Sequence, residues 1–276
     1  GFIVLEEILY RSSRSFVPSF FSENVAAPLG VFSSGYFSLV YFRDSPIWSF
    51  VGNSPNEGIK KGFHLSDNSL KNPVAPTENI RGQNSYLGSK FEGDEKTGDK
   101  MLRGQVHDPT AYRMGGVAGH AGLFSTADDL ARYCQMILNG GVVPRAETRP
   151  VGSVPRRSSR GTLPTGRVSA ARILSAQTVA KMTAPYVVSE DGATRGLGWD
   201  INTAFSSNRG ELFPLGSFGH TGFTGTSVWI DPTSQTFVVF MSNRVHPDGK
   251  GDVTPLRAKV STIAASSIRD TPIEAY

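Results

Sequence analysis

Eight consecutive residues constrain this chain most: Gly219-His220-Thr221-Gly222-Phe223-Thr224-Gly225-Thr226. Their flanks read as strands. Upstream is Arg195-Gly196-Leu197-Gly198-Trp199-Asp200-Ile201; downstream, Ser227-Val228-Trp229-Ile230 leads through the turn signal Asp231-Pro232 to Thr236–Met241. Apolar, aromatic and β-branched residues bounded by Gly, Pro and Asn form strands. A Gly within a strand marks a close approach to the backbone. Three Gly, three Thr and one His in eight residues supply hydroxyls, an imidazole and bare backbone N–H groups along one edge. Two readings fit. One is a site that aligns an acyl substrate beside a strand and holds its oxyanion with main-chain donors. The other is a Gly-rich hairpin carrying a solvated His.

The rest of the chain excludes several classes. Hydrophobic residues make up 38% and charged residues 19% of 276, as in a globular protein and unlike a disordered one. No apolar run is long enough to span a membrane. The net charge of +4 is uneven: residues 145 to 172 hold seven Arg and one acidic residue, leaving −2 for the remainder. That segment has no aromatic residue, so it reads as a solvated loop and not as a nucleic-acid surface. Cys134 stands alone on the apolar side of an expected helix. An intrachain disulfide is excluded, and a buried structural thiol is expected.

The chain opens at Gly1-Phe2-Ile3-Val4-Leu5 already inside an amphipathic pattern, with no Met and no capping residue. The expectation is a longer protein whose N-terminal part is missing here. Residues 1 to about 26 read as a helix, with Phe2, Ile3, Leu5, Ile8 and Leu9 as a core-facing stripe. Residues 31–102 and 141–172 lack sustained periodicity and read as insertions or flexible loops within a single domain. Phe37 to Phe42 is a short strand candidate, and Ser66-Asp67-Asn68 is a chance match to a catalytic tripeptide.

The segment from Arg103 to Phe124 is dense in Gly and carries His107, Asp108 and His120. The spacing matches no compact zinc pattern, so no metal is assigned. The two His either brace the loop or bind substrate from it. A clean helix follows. Ser125 or Thr126 caps it, Leu130, Tyr133, Cys134, Ile137 and Leu138 form its apolar face, and Gly140 ends it. Another runs from a cap at Ser175 to Pro185. A last helix from about Pro255 to Ile268 turns Leu256, Val260, Ile263, Ala264 and Ile268 to one side.

Several of these segments together resemble the β-lactamase-related serine hydrolases. They are Gln105-Val106-His107-Asp108, Gly115 through Thr126, Leu130 to Gly141, Arg195-Gly196-Leu197-Gly198-Trp199, His220-Thr221-Gly222 and Asn243 through Gly249. That family includes class C β-lactamases, D-alanyl-D-alanine carboxypeptidases and esterases. The resemblance implies an α/β (α+β) fold of the β-lactamase/transpeptidase type, an antiparallel sheet flanked by helices. It implies a Ser-x-x-Lys nucleophile and base, a Tyr-x-Asn-like element, and a Lys-Thr-Gly or His-Thr-Gly strand. Here the strand is His220-Thr221-Gly222, with the N–H of Phe223 as the matching oxyanion donor and Thr224, Gly225 and Thr226 beside the substrate. No cofactor is implied, and a periplasmic or secreted location is.

One departure matters. Lys occurs at nine positions, and none has Ser three residues before it. The nucleophile is therefore expected outside this chain. Two functions remain open: a serine hydrolase of an ester, peptide amide or β-lactam acting through an acyl-serine, or an inactive relative that binds peptidoglycan-like or acyl ligands. His220 in place of Lys argues against a dedicated β-lactamase, which gains from a fixed positive charge.

Overall fold

The computed structural model describes residues 1–36, 74–80, 101–143, 171–247 and 249–268. The strand expected at Phe37 to Phe42, the Ser66-Asp67-Asn68 tripeptide and nearly all of the Arg-rich segment lie outside these residues.

The first helix is shorter than the periodicity predicts. Helix α1 covers Phe2–Ser13 and stops at Arg14, which takes a left-handed conformation with its N–H on the Tyr10 carbonyl. The chain resumes as α2 (Val17–Phe21), a π turn (Ser22–Ala26) and α3 (Ala27–Leu29). Pro18 explains the break. Lacking an N–H, it belongs in the first turn of a helix and not in its interior, and it stands in the first turn of α2. The apolar stripe also departs from expectation. No residue of α1 is buried, and Phe2, Ile3, Leu5 and Ile8 are exposed. Core packing in this region starts at Phe21, Val25, Ala26 and Leu29.

The first turns of α1 are held against Gly119. The Glu6 carboxylate accepts the Gly119 N–H at 2.7 Å, and a Cβ on Gly119 would fall well inside contact distance of the Phe2 carbonyl. Gly119→Ala is therefore expected to undock α1. Tryptic cleavage at Arg11 and Arg14 should accelerate about tenfold, since an overpacked contact costs of order 1–3 kcal/mol. An unchanged cleavage rate would show that α1 is held elsewhere.

Strand β1 (Gly35–Tyr36) pairs with β2 (Leu123–Phe124). Between them in sequence lies α4 (Pro109–Arg113), which the Gly-rich composition hides. Asp108 caps it by accepting the Ala111 N–H at 2.8 Å, with Pro109 in the first turn. Helix α5 (Ala127–Leu138) forms as expected, capped by Thr126 and burying Cys134, Met136 and Ile137. Burial pushes the Cys134 thiol up to about 12, so it stays protonated and inert. A second small ladder joins β3 (Val142–Val143) to β4 (Ala171–Arg172), followed by α6 (Ala176–Thr183) with Ser175 as its cap.

The main sheet is an antiparallel meander in the order β10-β9-β8-β7-β6-β5. Its strands are β5 (Tyr186–Val187), β6 (Thr194–Arg195), β7 (Asp200–Asn202), β8 (Phe218–Thr221), β9 (Ser227–Asp231) and β10 (Thr236–Phe240). The run Arg195 to Ile201, expected as one strand, is a reversal between β6 and β7. Gly198 has φ +84, a conformation that L side chains rarely adopt, and the Gly196 N–H donates to the Trp199 carbonyl at 2.9 Å. Side-chain alternation then divides the sheet. Phe218 and Ile230 face the core formed with α5, α6 and the segment after α2, whereas Gly219 and Trp229 stand opposite each other on the other face.

Helix α7 (Thr254–Ser266) packs against β10 and a 3₁₀ turn at Ser206–Arg209. Its inward residues are Arg257 and Ser261, four apart. Leu256 and Ile263, expected on the inner face, are exposed. The helix is rotated because the Arg257 guanidinium is drawn to backbone carbonyls after β8, and because Gly210 lies against Ala258 and Thr262.

Candidate active site

Strand β8 pairs with β9 at four positions but with β7 only at Gly219 opposite Asp200. Beyond that pair β7 and β8 diverge, and the edge carrying His220 and Thr221 opens on a cleft of about 660 Å³. Arg195, Asp200, His220, Thr221, Gly222, Phe223, Arg244 and Arg257 line it, with Lys250 and Asp252 at its side. The four residues expected to be catalytic thus lie together along one wall.

His220 is fixed at both ring nitrogens. Nδ1–H donates to the Thr221 carbonyl at 2.8 Å, and Nε2 accepts from Arg195 Nη2 at 3.2 Å. Arginine has no acceptor, so this geometry requires the neutral Nδ1–H tautomer. The same Arg195 nitrogen lies 3.0 Å from Asp200 Oδ1, and the Asp200 side chain is almost fully buried. Asp200 also accepts from the Thr203 hydroxyl at 3.2 Å. The strand therefore presents a neutral imidazole backed by a fixed guanidinium. The fixed positive charge beside His220 sits on Arg195.

The residues after His220 make a tight turn. The Gly222 N–H donates to the Thr226 carbonyl at 2.7 Å, and the Gly225 N–H to the Gly222 carbonyl at 3.1 Å. Gly225 is pressed against Ser242 and Arg244. Thr224, Gly225 and Thr226 consequently do not line the cleft, and they serve to close the turn. Phe223 sits at its tip between two groups: the Arg244 guanidinium 4.1 Å from its ring centroid, and the His107 ring 5.8 Å away and nearly parallel.

His107 is thus brought behind the motif, not into the cleft. It is buried, and its Nε2 lies 2.8 Å from the fully buried Glu78 carboxylate. His120 is also away from the cleft, with Nε2 3.0 Å from Asp108 Oδ1. Burial opposes ionisation of Asp108, but the Ala111 N–H, His120 and the Thr110 N–H together hold its carboxyl below the usual range. Each His is thus paired with a carboxylate outside the cleft, and the His107 ring also lies against Phe223. Among the described residues, no three His, Cys, Asp or Glu side chains come together to hold a metal. No helix among them is long and apolar enough to cross a membrane.

A family model described as Beta-lactamase matches residues 1–261. The chain belongs to the beta-lactamase family. A putative D-alanyl-D-alanine carboxypeptidase from Escherichia coli O157:H7 is 38% identical over 146 residues, covering 52% of this chain and 27% of the relative. Its counterpart in Escherichia coli strain K12 is 38% identical over 148 residues, covering 52% and 28%. The match spans about a quarter of the length of these curated relatives. Among solved structures, simvastatin synthase from Aspergillus terreus superposes with a TM-score of 0.50 at 14% identity, over 96% of this chain and 54% of that one. A beta-lactamase from Mycobacterium bovis gives 0.45 at 18% identity, over 96% and 62%. The fold is the beta-lactamase/transpeptidase type that the motif order implies.

Within this beta-lactamase family chain, sequence reading missed Glu78, Asp200, Arg244 and Arg257 as members or supports of the site. Asp108-Pro109 carried the readable signal for α4, a capping residue followed by Pro. Glu78 gave none, because its role depends on a partner 29 residues away.

His107 makes this region sensitive to acid. Burial lowers its pKa from the ordinary 6.5, opposed by the hydrogen bond and charge of Glu78, lowered further by Arg244 and raised by Asp108. A lowered folded-state pKa contributes stability above the unfolded value and loses it as pH falls through the folded one. The melting temperature should therefore fall as pH drops below about 6.5, and His107→Gln should flatten that slope. An unchanged slope in His107→Gln would assign the acid sensitivity to other groups.

Proposed function

We propose that this chain supplies the acyl-binding strand and oxyanion side of a serine hydrolase, acting on an ester, peptide amide or β-lactam whose substrate carries a carboxylate. The observation that carries this reading is the cleft beside His220. Arg195, Arg244 and Lys250 outnumber Asp200 and Asp252 along it, and Arg195 Nη2 lies 3.2 Å from His220 Nε2. The carboxylate lies toward these cations, and the acyl group lies along His220 to Phe223. The Phe223 N–H donates to the oxyanion of the tetrahedral intermediate.

The serine that forms the acyl intermediate lies outside the 276 residues, since none of the nine Lys has Ser three residues before it. Collapse of the first tetrahedral intermediate expels the leaving group, and water then releases the acid and restores the serine. The carboxypeptidase names of the curated relatives support a substrate ending in a carboxylate.

Labelling with a fluorescent penicillin and a fluorophosphonate tests this. The probes are applied to the 276-residue chain and to the same chain extended at its N-terminus with native sequence. Labelling of the extended protein alone, abolished by replacing the serine of its Ser-x-x-Lys, is the expected result. Labelling of the 276-residue chain would overturn the placement of the nucleophile. No labelling of either would favour a relative that binds acyl or peptidoglycan-like ligands without reaction.

A further inference from the structure

All five carbonyl oxygens of the turn Gly222 to Thr226 are held by the protein. Arg257 Nη2 donates to Gly222 O at 2.8 Å and to Thr226 O at 2.9 Å, and Arg257 Nε donates to Gly225 O at 3.0 Å. Arg244 Nε donates to Phe223 O at 2.6 Å, and the Arg244 backbone N–H donates to Thr224 O at 2.8 Å. The Ser242 hydroxyl adds a second donor to Gly225 O at 2.7 Å. Both arginines come from outside the turn, one from α7 and one from the segment after β10.

A trans peptide is planar, and its C=O and the following N–H point in opposite directions. Holding the Gly222 carbonyl against Arg257 therefore turns the Phe223 N–H away from Arg257. Holding the Phe223 carbonyl against Arg244 does the same for the Thr224 N–H. Four of these carbonyls are held by two guanidinium groups, and the fifth, Thr224 O, by the Arg244 backbone N–H. Arg257 is suited to this and not to ligand contact. It is 7% exposed, its Nε and Nη2 are spent on three carbonyls, and among the described residues no carboxylate forms an ion pair with it.

We infer that Arg257, assisted by Arg244, is a positioning residue that orients the Gly222–Phe223 peptide so that its N–H serves as the oxyanion donor. The inference rests on the reading of Phe223 given above. It adds a residue of the last helix to the machinery, one that acts through the backbone and touches no substrate. A planar fork that reaches three carbonyls at once is a property of Arg; a Lys ammonium is a compact donor on a flexible stem.

The test uses the 276-residue chain labelled with ¹⁵N and three proteins: wild type, Arg257→Lys and Arg257→Met. Two quantities are read. One is the residual dipolar coupling of the Phe223 N–H, which reports the direction of that bond. The other is the affinity for methylphosphonate, a small tetrahedral anion, followed at the same amide. The expected result is a changed Phe223 coupling in both variants, with couplings in β9 and β10 unchanged. Methylphosphonate should bind at least about tenfold more weakly, as befits a misdirected hydrogen bond to an anion.

Arg257→Lys keeps the charge and much of the stem, so it gives the answer if Arg257→Met fails to fold. An unchanged Phe223 coupling in Arg257→Lys overturns the inference, even if anion affinity falls, because Arg257 would then act by charge alone. A changed coupling in a protein whose wild type binds no methylphosphonate supports the positioning role and removes the oxyanion role of Phe223 instead.

Discussion

Gly219→Ala is expected to destabilise the protein by about 3 kcal/mol, the upper part of the range for overpacking a filled site. Gly219 lies opposite Trp229 in the β8–β9 ladder, and the Trp229 indole is 1% exposed. A Cβ at Gly219 would overlap the Trp229 ring and the Val228 carbonyl oxygen. Neither can move cheaply. The indole N–H is tied to the Ser217 hydroxyl at 2.9 Å, and the Val228 carbonyl belongs to the strand and accepts from Asn208 at 3.3 Å. Relief would require β8 and β9 to separate next to His220. Urea unfolding should show a lower midpoint with an unchanged slope. A midpoint within error of wild type would mean that the strands separate without cost and that the fit around Trp229 is loose.

Arg195→Met should be nearly as costly, about 3 kcal/mol, for an electrostatic reason. It leaves the Asp200 carboxylate buried, with the Thr203 hydroxyl as its remaining hydrogen bond among the described residues. Removing one partner of a buried pair is expensive because the other charge stays in low dielectric. It also frees His220 Nε2 from its donor. Asp200→Asn in the Arg195→Met background removes the stranded charge and should recover more than half of the loss. That recovery separates charge burial from lost packing of the arginine stem, which no second substitution at Asp200 would restore. Equal destabilisation of the single and double variants would refute the electrostatic account.

Much of this architecture could be read from residues alone, where local chemistry decides local structure. Thr126 and Ser175 announce the helices they cap, and the apolar run of β10 and the Asp231-Pro232 turn announce the hairpin. Gly219, read as a place where something approaches the backbone, is pressed by a tryptophan. The failures share a cause as well. Apolar spacing in α1 says that a face exists but not that anything covers it. In α7 the leucine and isoleucine pattern lost to one arginine, because three carbonyls presented by a distant turn outweigh an apolar contact for that side chain. Arg195 to Ile201 carried strand-forming residues, yet two glycines and a backbone bond to Met182 bend it into a reversal.

The site divides in the same way. The His-Thr-Gly strand is visible as a motif because its residues are adjacent in sequence. What sets its chemistry is not adjacent: Arg195 is 25 residues from His220, Arg257 is 35 from Gly222, and Glu78 is 29 from His107. Pairings across such distances follow from topology, and composition carries no trace of them.

The proposed function requires the edge from His220 to Phe223, flanked by Arg195 and Arg244, to receive an acyl group and its carboxylate. Amide chemical-shift mapping of the ¹⁵N-labelled 276-residue chain during titration with benzylpenicillin tests it most directly. Saturable shifts at Arg195, His220, Thr221, Gly222 and Phe223, weakened by Arg195→Met/Asp200→Asn, are the predicted result. Saturable shifts confined to α1 or to the Gly119 loop, with the His220 edge silent, would contradict it.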